Sequence, residues 1–410
     1  METRFTPELK ATALGQEAEA ILRSCVHCGF CNATCPTYQL LGDELDGPRG
    51  RIYLIKQMLE GETAGEATRQ HLDRCLVCRA CETTCPSGVR YSRLLELGRE
   101  HLEHHHPRPA PQRLLRRLLR GVLADARRLR ALLPLARLFR GLLPRRLAQP
   151  ARALTGARHE PGAWPPPRHE RTMIVLDGCV QAASHAHINT AAARALDRLG
   201  ISLRPVPGSG CCGALELHLE AAEAARARMR RNIDGWWPHV EAGAEAVVST
   251  ASACTSMLKD YAWQLRDDPR YADKAARLAA MTRDIVEVIA AEDLTPLRHE
   301  AAGKAPIAFH APCSLQHGLK LGGEVERILT ACGYRLLPVA DAHLCCGAAG
   351  TYSILQPELS GQLLGNKLGA LEAEAPSCIA TANIGCLIHL QGGTQTPVKH
   401  WIELLAPPEK

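Results

Sequence analysis

Two cysteine blocks with the same spacing lie in the first hundred residues. Each block has four cysteines, separated by two, two and three residues and followed by a proline. The first block contains Cys25, Cys28, Cys31 and Cys35, and the second contains Cys75, Cys78, Cys81 and Cys85. Three thiolates at this spacing can surround one face of an iron–sulfur cube, and the fourth can reach a second cube. The pattern therefore predicts two [4Fe–4S] clusters.

The spacing also predicts which thiolates share a cluster, because the fourth cysteine of each block ligates the other cluster in bacterial two-cluster ferredoxins. The first cluster would be held by Cys25, Cys28, Cys31 and Cys85, and the second by Cys75, Cys78, Cys81 and Cys35. Zinc is disfavoured, because zinc ribbons separate their two cysteine pairs by about 15–20 residues. A disulfide framework is disfavoured in a cytosolic chain.

Helices are predicted to position the two blocks. The segment IYLIKQMLE between the blocks and the segment SRLLELGREHLEHHH after them both have helical apolar spacing. This helical filler favours a mostly α-helical two-cluster module over a compact, strand-rich one. Arg49 and Arg51 lie just before the first segment, and two interpretations stay open: they complement the anionic clusters, or they form a solvated face. His27, inside the first block, is interpreted as a bystander rather than a ligand.

The second half of the sequence contains an internal repeat. Its cysteines recur at a shift of 134 residues for three members and 132 residues for the fourth. The first copy contains Cys179, Cys211, Cys212 and Cys254, and the second contains Cys313, Cys345, Cys346 and Cys386. The string RDIVEVIAA near the end of the first copy also resembles KHWIELLAP near the end of the second. Two related domains are therefore predicted.

Each copy alternates short apolar strands with helices, which predicts α/β domains with a mostly parallel sheet. The predicted strands are MIVLD, ISLRPV and AVVST in the first copy and IAFH, YRLLPVA and CIATA in the second. Every repeat cysteine then follows the carboxyl end of a strand, where α/β sheets bind their ligands. Helices are expected to start after Cys179, Cys212 and Cys254, so that their amino termini stabilise thiolates.

The eight repeat cysteines are therefore candidates for additional redox or metal sites, and buried, unliganded thiols are the alternative. Cys332 and Cys378 have no counterpart in the first copy and are predicted to be core residues. Five histidines near the cysteines are predicted to be mainly structural, with one or two accepting protons or supporting ligands. They are His185, His187, His310, His343 and His389.

One segment carries most of the positive charge. The net charge is +6, yet residues 107–159 contain fourteen arginines and one acid, Asp125. The Leu/Arg pattern is amphipathic, and its interpretation stays open: a helix on an anionic membrane surface, an interdomain linker, or a docking surface for an acidic partner subunit. Nucleic-acid binding is disfavoured, because the rest of the chain is acidic. Without a recognisable secretory signal or membrane-spanning run, we expect a cytoplasmic chain, peripheral at most on the inner membrane.

The two repeats, each with a Cys-Cys-Gly triplet, resemble the cysteine-rich domains of heterodisulfide reductase subunits, lactate-utilisation proteins and anaerobic glycerol-3-phosphate dehydrogenase small subunits. Two cysteine blocks followed by two such domains most resemble the iron–sulfur subunits of bacterial glycolate oxidase. The strings SCVHCGFCNATCPTYQLLGDELDGPRGRI, STASACTSMLKDY and TANIGCLIHLQ carry this resemblance.

One departure from the family pattern concerns the last cysteine motif of each repeat. In the fullest form of the family pattern this motif is C-x2-C, whereas in this chain Ala251 and Asn383 replace the first cysteine of that pair. This departure argues against a five-thiolate, non-cubane cluster. A four-thiolate cluster, a quinone-adjacent site and a purely structural role stay open.

The resemblance implies an order of domains and a division of labour. A helical ferredoxin domain would occupy residues 1–105, an Arg-rich amphipathic linker 106–168, and the two cysteine-rich domains 169–300 and 301–410. Partner subunits containing FAD would oxidise glycolate to glyoxylate, and this chain would pass their electrons to a quinone or another electron acceptor. No catalytic residue or substrate site of its own is expected, since no G-x-G-x-x-G or P-loop motif is recognised.

Two alternatives to this function stay open. The chain could be the iron–sulfur subunit of a related lactate or glycerol-3-phosphate dehydrogenase. It could also be a thiol redox enzyme of the heterodisulfide reductase type, in which the repeat cysteines do chemistry themselves.

Overall fold

The structure is a computed structural model that describes residues 1–139, 154, 162–298 and 305–406. The carboxyl part of the Arg-rich segment and the boundary predicted at residues 300 and 301 lie outside the described residues. No helix in the described ranges is long and apolar enough to cross a membrane.

The chain forms two compact units. The first contains Met1–Leu115 and His343–Leu363, and the second contains Arg116–Ala342 and Leu364–Lys410. The amino-terminal part of the first unit is helical, as the sequence predicts. Its helices are α1 (Pro7–Lys10), α2 (Ala13–Ser24), α3 (Phe30–Ala33), α4 (Pro36–Leu41), α5 (Pro48–Leu59), α6 (Glu66–Asp73), α7 (Ala80–Thr84), α8 (Tyr91–His105) and the start of α9 (Ala110–Leu123).

Close packing of these helices fixes the positions of the cysteines. Gly98 lets α8 approach α5, because a Cβ at this position would lie 2.8 Å from the side chain of Ile55. Cys25 directly follows α2, Cys35 directly precedes α4, and Cys85 directly follows α7. The cysteines at the block ends are therefore held by the termini of packed helices.

The first repeat is an α/β domain in the second unit. Its four strands form a parallel sheet in the order β2-β1-β3-β4. After α10 (Ala126–Leu138), the elements are β1 (Arg171–Val175), α11 (Val180–Ser184), α12 (His187–Arg198), β2 (Ile201–Pro205), α13 (Ala214–His218), α14 (Ala222–Glu241), β3 (Val247–Ser249), α15 (Ser252–Lys259), α16 (Tyr261–Gln264), α17 (Ala272–Met281), β4 (Thr282–Asp284) and α18 (Ile285–Ala290).

The second repeat has the same topology. Its strands are also parallel, in the equivalent order β6-β5-β7-β8. The elements are β5 (Ile307–His310), a π-helical turn (Ser314–Gly318), α19 (Glu324–Ala331), β6 (Leu336–Leu337), α20 (Tyr352–Leu355), α21 (Pro357–Glu372), β7 (Cys378–Thr381), α22 (Ile384–Gln391), β8 (Val398–His400) and α23 (Trp401–Leu405). The shared strand order confirms the predicted parallel-sheet α/β repeats.

Some local predictions were wrong or incomplete. The expected helix start after Cys254 is wrong: α15 begins at Ser252 because Ala251 occupies its N-cap, so Cys254 lies in the first turn. The string YRLLPVA contributes only two strand residues, Leu336–Leu337. The edge strands β4 and β8 have no apolar signature in the sequence, because polar residues dominate both.

Candidate iron–sulfur sites

The loops of the two cysteine blocks share an unusual backbone at corresponding positions. His27 and Val77 have φ values of 58° and 53°, and Gly29 and Arg79 have values of 86° and 64°. Left-handed backbone is rare for a β-branched residue such as Val77. The geometry of the loop therefore overrides side-chain preference, and it does so in the same way fifty residues apart.

Site 1 consists of Cys25, Cys28, Cys31 and Cys85. All four line one pocket, which Cys81 of the second block also lines. Burial, followed by the neighbouring thiols of Cys25, Cys85 and Cys28, raises the pKa of Cys31 to about 11. The amide of Val89 also donates to Cys85 Sγ at 3.5 Å. These sulfurs are therefore close enough to act on one another electrostatically.

Site 2 consists of Cys75, Cys78, Cys81 and Cys35, and it is the more enclosed of the two. Burial raises the pKa of Cys81 well above its ordinary value, and Cys78, Cys75, Glu82 and Cys35 add to this effect. The other three thiols of site 2 therefore lie near Cys81. Each site thus draws three cysteines from one block and one from the other.

The chemistry of both donor sets fits an iron–sulfur cluster. Thiols that raise one another's pKa cannot all ionise without a compensating cation. Iron bound by thiolates supplies that cation, and its binding releases the thiol protons. All eighteen cysteines of the chain are free thiols, so none of these donors is used in a disulfide.

Polar side chains adjoin site 2. Arg51 is 1% exposed, and its Nη1 lies 4.0 Å from Cys35 Sγ. The hydroxyl of Tyr91 donates to Cys75 Sγ at 3.7 Å, and Thr37 Oγ1 lies 3.3 Å from Cys35 Sγ. Sequence analysis singled out Arg51 but missed Tyr91 and Thr37, because neither belongs to a spaced pattern.

The sheet edge brings together the four cysteines of the first repeat. Side-chain hydrogen bonds connect Cys179 with Cys211, Cys211 with Cys212, and Cys212 with Cys254. The bonds with Cys211 raise the pKa of Cys179 and of Cys212 well above the ordinary value, and burial adds to this. The same bonds lower the pKa of Cys211. This arrangement favours one thiolate that accepts hydrogen bonds from two thiols.

A buried ion pair adjoins this cysteine cluster and was not found from the sequence. Cys211 Sγ lies 3.8 Å from Glu216 Oε2, and Arg228 pairs with the same carboxyl group. Burial, followed by the neighbouring Cys211, raises the pKa of Glu216 to about 7. Glu216 lies in α13 and Arg228 lies in α14, and no motif in the sequence indicates that the two side chains meet.

The cysteines of the second repeat occupy equivalent places in the chain. Cys313 follows β5, and Cys386 lies in the first turn of α22. Asn383 is the N-cap of α22, and its Nδ2 donates to Cys386 Sγ at 3.5 Å. Cys345 and Cys346 are buried and belong to the first compact unit.

Some other residues singled out from the sequence are buried or have a shifted pKa. Cys332 and Cys378 are buried, as predicted for core residues. Burial lowers the pKa of His310 to about 3, and its Nδ1 lies 3.0 Å from Thr381 Oγ1. Burial, followed by the charge of nearby Arg49, also lowers the pKa of His27.

Comparison with known proteins gives the family. A model of the 4Fe-4S dicluster domain matches residues 21–89, and a model of the cysteine-rich domain matches residues 173–259 and 307–391. The glycolate oxidase iron–sulfur subunit of Escherichia coli (strain K12) is 51% identical over 99% of this chain and 98% of that protein. The chain belongs to the glycolate oxidase iron–sulfur subunit family. The resemblance inferred from the cysteine patterns is thereby confirmed.

More distant relatives share parts or all of this organisation. A probable glycolate oxidase iron–sulfur subunit of Bacillus subtilis (strain 168) is 29% identical and covers 92% of this chain and 90% of its own length. Lactate utilization protein A of the same organism is 28% identical over 52% of this chain and 88% of its own length. Members of the glycolate oxidase iron–sulfur subunit family are subunits of an oxidoreductase, so this chain is homologous to an oxidoreductase subunit with a 4Fe–4S dicluster domain.

Proposed function

We propose that this chain transfers electrons from FAD-containing subunits of a glycolate dehydrogenase complex to a quinone, through clusters held at site 1 and site 2. The observation that carries this proposal is the convergence of two four-thiol sets, each drawn from both cysteine blocks. The substrate of the complex, glycolate, is inferred from the family. The chain itself contributes ligands and their surroundings, and no catalytic residue.

The electron balance of the complex requires single-electron carriers. Oxidation of glycolate to glyoxylate gives two electrons and two protons, which reduced FAD carries. A bound [4Fe–4S] cluster exchanges one electron at a time. Reduced flavin is then reoxidised in two steps, and the two electrons, with two protons, convert a quinone to a quinol. The cysteines of this chain hold the carriers at fixed positions, because helix termini fix the cysteine backbone.

An anaerobic reaction with the assembled complex tests the proposal. We expect glycolate to reduce the flavin and then to bleach the visible absorbance of the clusters, with quinol as the product. Cys78→Ser should leave flavin reduction intact and stop quinone reduction, whereas unchanged quinone reduction would contradict the proposal. Lactate and glycerol 3-phosphate in place of glycolate test the related dehydrogenases. Disulfide reduction by this chain without partners would favour the thiol-enzyme alternative.

We also propose that helices α9 and α10 attach the chain to an anionic membrane surface, near the quinone pool. Each helix exposes a row of apolar side chains at helical spacing, which we call the leucine ridge. Its members are Leu114, Leu115 and Leu118 in α9, Leu132, Leu135 and Leu138 in α10, and Phe139 directly after α10. Leu118 is 57% exposed and Leu138 is 74% exposed, so both helices present large apolar side chains at the surface of the described residues.

Charge supports a lipid surface as the occupant of the ridge. Residues 110–139 contain eight arginines and one acid, Asp125. Arg116 forms an ion pair with Glu220, and Arg130 donates a hydrogen bond to the carbonyl of Ala182. The arginines in excess would lie beside anionic headgroups, each contributing about 1 kcal/mol near the surface.

Vesicle sedimentation with the full chain tests the membrane proposal. We expect binding to vesicles with an anionic lipid, weakening with salt, and little binding to zwitterionic vesicles. Leu118→Glu combined with Leu135→Glu should abolish binding. Phe30→Glu is the matched control, because Phe30 is 62% exposed but lies outside the ridge. Equal binding of the double variant and the wild type would contradict the proposal and favour a linker or a protein-docking role.

The cysteines of the first repeat are proposed to hold a metal centre of their own. Four thiols in hydrogen-bonded sequence, with Cys211 favoured as a thiolate, form a donor set that suits iron or zinc.

A further inference from the structure

Arg51 is a buried cation between site 2 and a hydrogen-bonding network. Its Nε donates to the carbonyl of His71 at 2.7 Å, and its Nη2 donates to Thr37 Oγ1 at 3.1 Å. The same Nη2 lies 3.4 Å from Asp46 Oδ1. Its Nη1 lies 4.0 Å from Cys35 Sγ. Every side of the guanidinium group is therefore engaged, one of them by a ligand sulfur.

The network around Arg51 contains more positive than negative charge. Asp46 is 0% exposed and is also paired with Arg74, at 2.7 Å, while His71 Nδ1 lies 3.0 Å from the same carboxyl group. Two guanidinium groups thus share one carboxylate. A buried excess charge is costly unless another anion compensates it. Cys35, whose Sγ lies 4.0 Å from Arg51 Nη1, would provide that anion as a thiolate ligand of the site 2 cluster.

Arg49 provides a contrast two residues away. It is 33% exposed and pairs with Glu44 at 2.6 Å, so its charge is compensated without the cysteines. It lies against the first cysteine loop, because a Cβ at Gly29 would be 2.6 Å from its Nη1. Of these two arginines, one is neutralised by its own acid near site 1, and the other directs an uncompensated charge towards site 2.

We propose that Arg51 is the counter-ion of the cluster at site 2 and raises its reduction potential. This inference rests on the proposed function, because it requires a cluster at that site. One-electron reduction adds negative charge to the cluster, and a fixed cation in a dry interior favours the more negative state.

A redox titration of the full chain, followed by EPR, tests the role of Arg51. In a Cys28→Ser background the site 1 cluster is expected to be lost, so the potential of the site 2 cluster can be followed without overlap from site 1. Arg51→Gln should shift this potential downward, while Arg51→Lys, which keeps the charge, should shift it much less. Arg49→Gln is the matched control and should leave it unchanged. Iron analysis on the same samples establishes that the cluster is present.

The possible results separate this inference from the function on which it rests. An unchanged potential in cluster-containing Arg51→Gln protein overturns the role of Arg51 and leaves the electron-transfer function standing. Should Arg51→Gln protein fail to fold, Arg74→Gln decides, because it removes the same excess charge from a position 24% exposed. A downward shift supports the inference, and no shift overturns it. A wild-type chain without iron, prepared anaerobically, contradicts the proposed function instead.

Discussion

At the scale of single residues, the cysteines divide into proposed ligands and core residues by their neighbours. Burial raises the pKa of Cys31 and of Cys81, and three neighbouring thiols add to the effect at each. Cys332 is equally a thiol, and it is buried at 1% exposure. Burial raises its pKa, with no other cysteine among the causes. The two kinds of cysteine therefore differ in neighbourhood rather than in burial.

Loss of one ligand should remove one cluster. We expect wild-type protein to contain about eight iron atoms per chain at sites 1 and 2. Cys28→Ser or Cys78→Ser should each lower the count by about four, because each removes a ligand from one site only. Iron and sulfide analysis of anaerobically purified protein measures this. Cys332→Ala is the control and should keep the wild-type count, and an equal loss in the control would mean that the change reflects folding.

At the scale of elements, the last helix of each repeat begins with a capping box, and the capping residue differs between the two. Asp284 caps α18 and His400 caps α23, and each forms a capping box with the glutamate three residues later, Glu287 or Glu403. Both caps are buried, so each favours its neutral form. Burial raises the pKa of Asp284 to about 7 and lowers the pKa of His400 to about 4.

These two caps predict opposite pH dependences of stability. The folded-state pKa of Asp284 exceeds its ordinary value of 3.8, so its contribution is greatest below pH 3.8 and is lost as the pH rises to about 7. Asp284→Asn cannot ionise and should raise the free energy of unfolding above pH 7 by on the order of 2–4 kcal/mol. Urea unfolding followed by circular dichroism measures this.

The matched variant at the other cap is His400→Asn. The folded-state pKa of His400 lies below its ordinary value of 6.5, so wild-type stability falls as the pH drops from 6.5 towards 4. His400→Asn should weaken this acid-side loss and leave the alkaline side unchanged. Identical pH profiles for both variants and the wild type would show that neither cap titrates as described.

At the scale of the whole molecule, the chain combines a 4Fe–4S dicluster domain with a duplicated α/β domain. The two sheets have equivalent strand orders, yet the cysteine surroundings of the repeats differ in their details. In the first repeat Ala251 occupies the N-cap before Cys254, and in the second Asn383 donates to Cys386 from the same position. The same helix start therefore carries an apolar residue in one copy and a hydrogen-bond donor in the other.

The proposed metal centre of the first repeat predicts metal beyond the two ferredoxin-type clusters. In a chain carrying Cys28→Ser and Cys78→Ser, the remaining iron or zinc should come from the repeats. Adding Cys212→Ser should lower that remainder, because Cys212 is hydrogen-bonded to two of the other three thiols. Metal analysis by mass spectrometry measures it. No remaining metal in the double variant, with its far-ultraviolet circular dichroism intact, would favour buried structural thiols.

Much of the fold and of the candidate sites could be predicted from local patterns. The repeated spacing of Cys25 to Cys35 and Cys75 to Cys85 indicates both cluster sites, because a short chain segment limits which sulfurs can meet. The shift between the repeats indicates duplicated α/β domains, because strands and helices have distinct apolar periods. Short polar edge strands such as Val398–His400 lack that signal.

The sequence by itself determined the proposed cluster ligands, the helical module and the duplicated sheets, since each depends on the spacing of residues within one segment. Only the tertiary structure decided which charges are buried beside the sulfurs. Arg51 and Arg49 are indistinguishable in sequence, yet Arg51 is enclosed by Asp46 and His71 and contacts Cys35. Burial and electrostatic partners depend on segments that are distant in the chain, so the pKa of a group and the potential of a site follow from the fold.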